Sequence, residues 1–307
     1  MDFPGFKPAF VKRFSALTDF AAFEESCKQY LRRSIRVNTL KAGVADIKAR
    51  LSERWSLEPV PWCEQGFFMA SERRDIGNTI EHALGYIYVQ EAASMIPPLA
   101  LGARPGELVL DMCAAPGSKA TQIAQCMENQ GCLVANDFTG IRLKSLGINL
   151  QRCGVTNAIM TRMFGHQFGR LPIRFDRILV DAPCSGTGAI RKSWKTLVMW
   201  NPGMIRRLAI TQKKLILSAY DCLKDGGTLV YSTCSLEPEE DEGVIDALLK
   251  ERPGAHLEPI DLPLRRSPAI EAFDGKGFSP EVSRCLRLWP QDNDTEGFFV
   301  AKIAKRG

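Results

Sequence analysis

This 307-residue chain lacks the patterns that mark several classes of protein. It has no run of eighteen apolar residues, and its first residues have no apolar signal core, so we expect neither a membrane span nor secretion. Its ten cysteines include no C-x-x-C pair, and its three histidines (His82, His166 and His256) are too far apart for a helical metal pair. We therefore expect no metal site, and free thiols in a reducing cytoplasm.

Strong overall charge is also absent, because the net charge is only +5. The distribution of that charge is uneven. Residues 28–50 carry seven basic side chains against one acidic one, and residues 184–224 carry eight against one. Two basic stretches fit a track for a polyanion, and they fit a pair of solvated helix faces equally well. Charge alone leaves both interpretations open.

From Leu108 onward, short apolar runs alternate with amphipathic segments. The predicted strands are 108–113, 133–137, 158–163, 177–181 and 228–233. The predicted helices are 119–127, 141–153, 204–223 and 239–250. Strands that alternate with helices indicate an α/β fold with a doubly wound, mainly parallel sheet. Two late apolar runs, 285–289 and 298–303, are expected to pair as a closing hairpin after a long insertion over 254–284.

The first part of the chain follows no such alternation. A probable strand over 34–40 and a helix over 45–51 indicate a mixed segment. We predict a small α+β module over residues 1–95 and the α/β domain over residues 96–307.

The first chemical motif is the turn Cys113–Lys119, which follows a predicted strand and opens a helix. Its small residues allow a ligand to approach the backbone, and a helix N-terminus offers free N–H groups. The G-x-G-x-x-G signature of dinucleotide sites is absent. Asp137 ends the second strand, where an acid often accepts hydrogen bonds from a ribose diol. A packing turn and a helix cap are the alternatives, but together the two features favour a nucleoside cofactor.

Two cysteines follow the fourth and fifth strands: Cys184 in Asp181-Ala-Pro-Cys-Ser-Gly and Cys234 in Ser232-Thr-Cys-Ser. If those strands are neighbours, their backbones are about 5 Å apart and both thiols face one pocket. Either cysteine alone is more readily a buried structural thiol. Two thiols beside an acid, however, can alkylate a carbon that is not itself nucleophilic.

These motifs together resemble the Nop/Sun family of RNA 5-methylcytosine methyltransferases. The similar segments are DMCAAPGSK from Asp111, DAPCSGTG from Asp181 and YSTCSLEPEE from Tyr231, with SIRVNTLK from Ser34, EHALGYIYVQE from Glu81 and DTEGFFVAK from Asp294. The layout is most similar to the short archaeal-type tRNA enzymes of that family. The resemblance implies a Rossmann-like class I methyltransferase fold with a small α+β N-terminal domain.

The resemblance also implies roles for individual residues. Cys234 would add to cytosine C6, Cys184 would assist release as a base, and Asp181 would bind the cytosine edge. Lys119 would lie near the substrate and the methionine end of S-adenosylmethionine. The cofactor would lie across Cys113, Ala114, Ala115, Pro116, Gly117, Ser118 and Lys119, with Asp137 on its ribose and Arg142 and Asp181 nearby. A surface salt bridge is the alternative for Arg142.

Two positions depart from the family pattern. Ser118 replaces a glycine, which is a small change. Phe164 stands where the family supplies an acid to the adenine amino group, so adenine recognition is expected to rest on stacking or on backbone groups.

The substrate implied is RNA, with tRNA ahead of rRNA, bound by a monomeric enzyme. Its phosphates would meet Arg32, Arg33 and Arg36 of the N-terminal module, unless that module only covers the sheet. Two other functions stay open: an amino-methyltransferase, which would make Cys234 dispensable, and an RNA-binding or assembly factor that has lost activity.

Overall fold

The N-terminal part of the chain combines helices with a small antiparallel sheet, in a computed structural model that describes residues 3–70 and 75–306. Its elements are α1 (Pro8–Phe14), α2 (Phe20–Lys28), β1 (Arg33–Val37), α3 (Val44–Ser52), β2 (Ser56–Val60), β3 (Cys63–Ala70), α4 (Ile80–Ala83) and β4 (Ile87–Val89). The strand order is β2-β3-β1-β4. The predicted strand near 34–40 and helix near 45–51 are thus present as β1 and α3.

Helices α1 and α2 pack against the second half of the chain rather than against the small sheet. The Asp19 carboxylate accepts hydrogen bonds from two backbone N–H groups and so caps the start of α2. Phe14 and Phe23 are fully buried, and both rings contact Trp289 edge-on. Burial of each phenylalanine contributes about 1.5–3 kcal/mol. The domain boundary at residues 95/96 remains a prediction.

The main body is a twisted sheet with helices on both faces, which confirms the predicted α/β fold. Its elements up to the last parallel strand are α5 (Ile96–Leu101), β5 (Leu108–Asp111), α6 (Ser118–Cys126), β6 (Cys132–Asn136), α7 (Gly140–Arg152), β7 (Ala158–Thr161), β8 (Phe175–Asp181), α8 (Lys195–Met199), α9 (Pro202–Asp221) and β9 (Leu223–Thr233). Strands β9-β8-β5-β6-β7 lie side by side and parallel. The central residues of β5, β8 and β9 are apolar and buried, so these strands form the core, whereas Ile159 and Met160 of the edge strand β7 are exposed.

The C-terminal part closes the sheet with antiparallel strands. Its elements are α10 (Glu242–Glu251), β10 (Ala255–Glu258), β11 (Ala272–Phe273), β12 (Lys276–Gly277), β13 (Leu286–Leu288), α11 (Pro290–Asn293) and β14 (Phe298–Lys305). The predicted pairing of β13 with β14 is confirmed, and β14 also pairs with β9. The prediction of an insertion over 254–284 was wrong at its start, since β10 is the edge strand beside β14.

Candidate active site

The two cysteine loops leave the sheet at the same edge. Strands β8 and β9 are parallel neighbours, and Asp181 lies opposite Ser232 in their register. The loops that follow therefore run side by side, and the Sγ atoms of Cys184 and Cys234 are 3.3 Å apart, within S–H···S hydrogen-bond distance. Both side chains line one cavity.

The contact between the two thiols makes Cys184 a weaker acid. The hydrogen bond to Cys234, and then burial, raise the pKa of Cys184 well above its ordinary value. Cys184 therefore holds its proton at neutral pH, and either sulfur can be the donor in this contact. An S–H group that donates to a neighbouring sulfur stabilises a thiolate there, which is the nucleophilic form of cysteine.

A buried carboxylate, Glu240, joins the two loops. It accepts hydrogen bonds from the backbone N–H of Ser185 at 3.0 Å and from the hydroxyls of Ser185 and Ser235. The Gln212 amide of α9 donates to it at 3.1 Å. The serine that follows each cysteine is thus hydrogen-bonded to the carboxylate of Glu240. Sequence reasoning missed Glu240, although it lies in the segment that carries the family resemblance.

Asp181 and Lys119 form an ion pair beside the thiols. Lys119 Nζ lies 2.7 Å from Asp181 Oδ2, and the Ser232 hydroxyl donates to Asp181 Oδ1 at 2.8 Å. Burial lowers the pKa of Lys119, but the carboxylate of Asp181 outweighs burial and raises it above the ordinary value. The site therefore presents a fixed positive charge and a carboxylate whose oxygens can each accept a further hydrogen bond.

A cavity of about 440 Å³ runs from the cysteines along the carboxyl ends of β8, β5 and β6. Of the predicted residues, six line it: Cys113, Asp137, Arg142, Asp181, Cys184 and Cys234. Its volume lies within the range of about 300–1,000 Å³ that is typical of small-molecule sites. The cavity therefore joins the predicted cofactor end to the predicted catalytic end.

Arg142 links the turn before α6 to the acid at the end of β6. Its guanidinium lies 3.0 Å from Asp137 Oδ2 and also donates to the carbonyl of Ala115. Asp137 Oδ1 accepts from the backbone N–H of Thr139, so the carboxylate is oriented from both sides. Asp137 Oδ2 has no hydrogen bond of good geometry among the described residues. Asp137 lines the cavity, where its carboxylate can accept a hydrogen bond from a ligand hydroxyl.

The turn Cys113–Lys119 contributes mainly backbone groups to the site. Ala114 and Ala115 are buried, Pro116 is exposed, and α6 begins at Ser118 after Gly117, whose φ of +114° is accessible to glycine. Lys119 reaches the site through Asp181 rather than by lining the cavity. The start of α6 directs its free N–H groups toward the carboxyl edge of the sheet.

Aromatic rings line the far end of the cavity. Phe138 follows Asp137, and Phe164 follows β7; their rings are 6.0 Å apart between centroids and inclined by 17°. The rings are 53% and 57% exposed, which is unusual for phenylalanine. His166 stacks on the other side of Phe164 at 5.6 Å. Sequence reasoning identified Phe164 but missed Phe138.

The three arginines predicted to bind RNA lie in different environments. Arg32 stacks over Phe68 and pairs with Glu58 near the surface, and Arg33 donates to the Tyr30 hydroxyl. For Arg36 the prediction was wrong, because its side chain is fully buried. It donates to Gln90, Thr121 and Gln125 and so ties β1 to α6.

Other expectations concern the chain as a whole. None of the ten cysteines forms a disulfide bond. In residues 3–70 and 75–306, no group of three potential ligands is placed to hold a metal ion. Within the same residues, no helix is long and apolar enough to cross a membrane.

Comparison with known proteins gives matches over nearly the whole of this chain. Residues 98–304 match the family described as 16S rRNA methyltransferase RsmB/F, and residues 6–92 match the N-terminal domain of 16S rRNA methyltransferase RsmF. The chain is 48% identical to the tRNA (cytosine(49)-C(5))-methyltransferase of Pyrococcus abyssi, over 96% of this chain and 95% of that protein. It is 47% identical to ribosomal RNA small subunit methyltransferase F of Vibrio atlanticus, over 94% of this chain but only 60% of that protein.

Solved structures show the same architecture. A methyltransferase homologue from Pyrococcus horikoshii matches with a TM-score of 0.84 and 38% identity, over 97% of this chain and 99% of that chain. NSun6 from the same organism, solved with SFG, matches with a TM-score of 0.83 at 23% identity, over 94% of each chain. The latter shows the fold alone.

The chain belongs to the RsmB/F family of methyltransferases, and it is an S-adenosylmethionine-dependent RNA cytosine-C5 methyltransferase. The residues around the cavity fit that cofactor. The Asp137 carboxylate in the cavity wall suits a ribose hydroxyl, and the exposed rings of Phe138 and Phe164 suit a purine. S-adenosylmethionine, when bound, supplies an electrophilic methyl group.

Proposed function

We propose that this RsmB/F methyltransferase methylates C5 of a cytosine in tRNA, with Cys234 as the nucleophile. The observation that carries the proposal is the cluster of two thiols, a lysine and a carboxylate at one end of a cavity that suits the cofactor. Cytosine C5 is a poor nucleophile until a thiolate adds to C6. The cluster supplies a thiol for the addition to C6 and charged groups that can bind the cytosine.

In the proposed addition, the Cys234 sulfur forms a bond to C6 and the ring electrons move toward C5 and N3. Cys184 donates its S–H to the Cys234 thiolate beforehand, which holds the nucleophile in place. Asp181 binds the cytosine edge and stabilises the adduct protonated at N3. Lys119 keeps Asp181 oriented through the ion pair of 2.7 Å.

In the proposed release, the C5 proton goes to a base, its electron pair forms the C5–C6 double bond, and the C6–S bond breaks. We assign the base to Cys184. Its pKa is raised first by the hydrogen bond to Cys234. A Cys234 thioether carries no charge that opposes ionisation of Cys184, although burial still raises the Cys184 pKa. Cys184 therefore releases its own proton to solvent in the adduct and then, as a thiolate, takes the C5 proton while Cys234 leaves as a thiolate.

The remaining predicted residues bind the cofactor in this proposal. Asp137 accepts from the ribose, Arg142 orients Asp137, and the backbone from Cys113 to Lys119 approaches the methionine end. The adenine lies against Phe138 and Phe164 rather than on an acid. These assignments rest on the cavity and on the contacts described above.

The choice of tRNA rests on one comparison. The tRNA enzyme of Pyrococcus abyssi aligns over 95% of its length, whereas the rRNA enzyme of Vibrio atlanticus aligns over 60% of its length. Arg32 and Arg33 would contact phosphates from the N-terminal module. We further propose that the enzyme acts as a monomer in the cytoplasm.

Bisulfite sequencing tests this function. RNA from cells with and without the protein is compared, and purified protein is incubated with unmodified tRNA and with 16S rRNA. We expect a new 5-methylcytosine in tRNA with the wild type and none with Cys234→Ala. If only 16S rRNA is methylated, the substrate is rRNA and not tRNA. If Cys234→Ala still methylates RNA, Cys234 is not the nucleophile.

A further inference from the structure

A second cavity lies between the N-terminal sheet and two segments of the main body: the one after Cys184 that carries Arg191 and Lys192, and the one before β14 that carries Glu296. Its volume is about 490 Å³. Arg33 and Lys192 line it together with Glu91, Arg191 and Glu296, and none of these five residues lines the cofactor cavity. The established cofactor and the target cytosine do not account for this second space.

Two buried polar atoms in its walls have no hydrogen-bond partner among the described residues. One is Oε1 of Glu296, a residue that is 5% exposed, and the other is Nε of Arg191, a residue that is 8% exposed. Lys192 Nζ lies 3.7 Å from that carboxylate oxygen, beyond hydrogen-bond distance. Because buried polar groups are normally satisfied, an unpaired acceptor and an unpaired donor point to a ligand that carries both functions.

The walls also limit what the ligand is. A bare phosphate suits Arg33 and Lys192 but offers no donor to the unpaired Glu296 oxygen, and a metal ion is repelled by Arg191. The edge of a nucleobase carries N–H donors beside carbonyl or ring-nitrogen acceptors, and it is uncharged. A nucleobase inside and its phosphate at the basic rim satisfy both sets of groups.

The cavity is connected to the nucleophile through two backbone hydrogen bonds. The N–H of Gly297, next to Glu296, donates to the carbonyl of Gly188 at 3.0 Å, and the N–H of Gly188 donates to the carbonyl of Cys234 at 2.9 Å. A Cβ at Gly188 would lie 2.1 Å from the Gly297 carbonyl oxygen, so this close approach requires glycine. Glu296 itself is held because its N–H donates to Glu91.

We propose that this cavity binds the base of an RNA nucleotide that flanks the target cytosine. In this arrangement Glu296 accepts from a base N–H, Arg191 donates to a base acceptor, and Arg33 and Lys192 face the phosphate. The proposal rests on the proposed function in one respect, namely that RNA enters the neighbouring active site. It adds a nucleotide subsite outside that site.

Steady-state methylation of an unmodified tRNA transcript by three variants tests the subsite. We expect Glu296→Gln to raise KM for RNA about tenfold, because a hydrogen bond to a charged group is lost, while kcat changes little. Lys192→Ala should raise KM and reduce the salt dependence of RNA binding by about one phosphate contact. Lys195→Ala, an exposed lysine outside both cavities, is the control and should match the wild type.

Abasic substitutions in the transcript then locate the base. The wild type should lose affinity at one position beside the target cytosine, and Glu296→Gln should be insensitive to the abasic site at that position. S-adenosylmethionine affinity, measured by calorimetry, should be the same in all variants. If no abasic position couples to Glu296, or if Lys192→Ala matches Lys195→Ala, the subsite is wrong even though methylation is intact. A wild type that binds and methylates no RNA would refute the proposed function itself.

Discussion

The Sγ atoms of Cys184 and Cys234 lie 3.3 Å apart although fifty positions separate the residues in the chain. The parallel pairing of β8 with β9 places both loops at one edge of the sheet, and Glu240 holds them together. At this distance the two sulfurs are in hydrogen-bond contact, and the contact raises the pKa of Cys184. A substitution at Cys234 therefore changes the ionisation of Cys184.

The first prediction concerns Cys184→Ala. Removal of the proposed base should allow addition and methylation but stall elimination, so a covalent protein–RNA complex should accumulate with ordinary, unfluorinated tRNA. The complex is measured as a shifted band on a denaturing gel. The double variant with Cys234→Ala should show no band. Normal turnover by Cys184→Ala without any trapped complex would make Cys184 a structural thiol.

The strand ends at the site could be predicted from sequence because their signal is local. Buried apolar runs ending in Asp181 and Thr233 fix two strands, and a parallel sheet brings the carboxyl ends of its strands to one edge. The site residues could be named because the motifs around Cys184 and Cys234 resemble a known family. Neither argument depends on how the side chains pack.

Other features depend on tertiary contacts and could not be read from the chain. Arg36 was grouped with Arg32 and Arg33 by charge, yet the alternation of β1 places it toward α6, where Gln90, Thr121 and Gln125 satisfy its donors. Strand β10 was missed because its four residues lie in a Pro- and Gly-rich stretch. Such pairings appear only once the sheet is assembled.

The second prediction concerns Glu240, which we assign as a positioning residue. Glu240→Gln replaces one acceptor oxygen by a donor, so it should loosen the Ser185 and Ser235 contacts that align the thiols. We expect kcat to fall about tenfold to a hundredfold, the scale for hydrogen bonds to a charged group, with unchanged KM for the cofactor.

The control for this prediction is Glu239→Gln, because the Glu239 carboxylate pairs with Arg13, whereas Ser185 and Ser235 donate to Glu240. A purely structural role of Glu240 would lower thermal stability without altering the pH profile of kcat. We expect that profile to shift in Glu240→Gln, since the distance between the sulfurs sets the ionisation of the pair. An unshifted profile would remove the positioning role.

The third prediction concerns Asp137. Asp137→Ala should weaken S-adenosylmethionine binding by about 1–3 kcal/mol, because the ribose acceptor is lost. Asp137→Asn keeps an oxygen for the Thr139 N–H and should lose less affinity. Isothermal titration calorimetry on the folded variants measures the change. Equal affinity in the wild type and Asp137→Ala would exclude the ribose contact.

The fourth prediction concerns the rings of Phe138 and Phe164. If adenine is bound by stacking, Phe164→Ala should weaken S-adenosylhomocysteine binding about tenfold. The wild type should bind S-inosylhomocysteine, which lacks the amino group, almost as tightly as S-adenosylhomocysteine. Phe164→Asp should instead prefer the adenine compound. Ile159→Ala, on β7 but outside the cavity, is the control, and strong preference of the wild type for adenine would contradict stacking as the main contact.

The last prediction concerns Asp111, whose two carboxylate oxygens are buried without a hydrogen-bond partner among the described residues. Burial, and then the charge of Asp181, raise the pKa of Asp111 to about 7 from an ordinary value of 3.8. Between these two values the folded protein holds a proton that the unfolded chain has released. Stability should therefore fall as pH rises through this window, by about 2–3 kcal/mol from pH 5 to pH 7.

Asp111→Asn removes that titration, because an amide stays neutral at every pH in the window. We expect the free energy of unfolding of Asp111→Asn to decline less steeply from pH 5 to pH 8 than that of the wild type, as measured by urea denaturation at one-unit intervals. Asp225→Asn, at an exposed acid, should leave the wild-type slope unchanged. Parallel curves for the wild type and Asp111→Asn would show that Asp111 is ionised in the folded protein and would contradict the prediction.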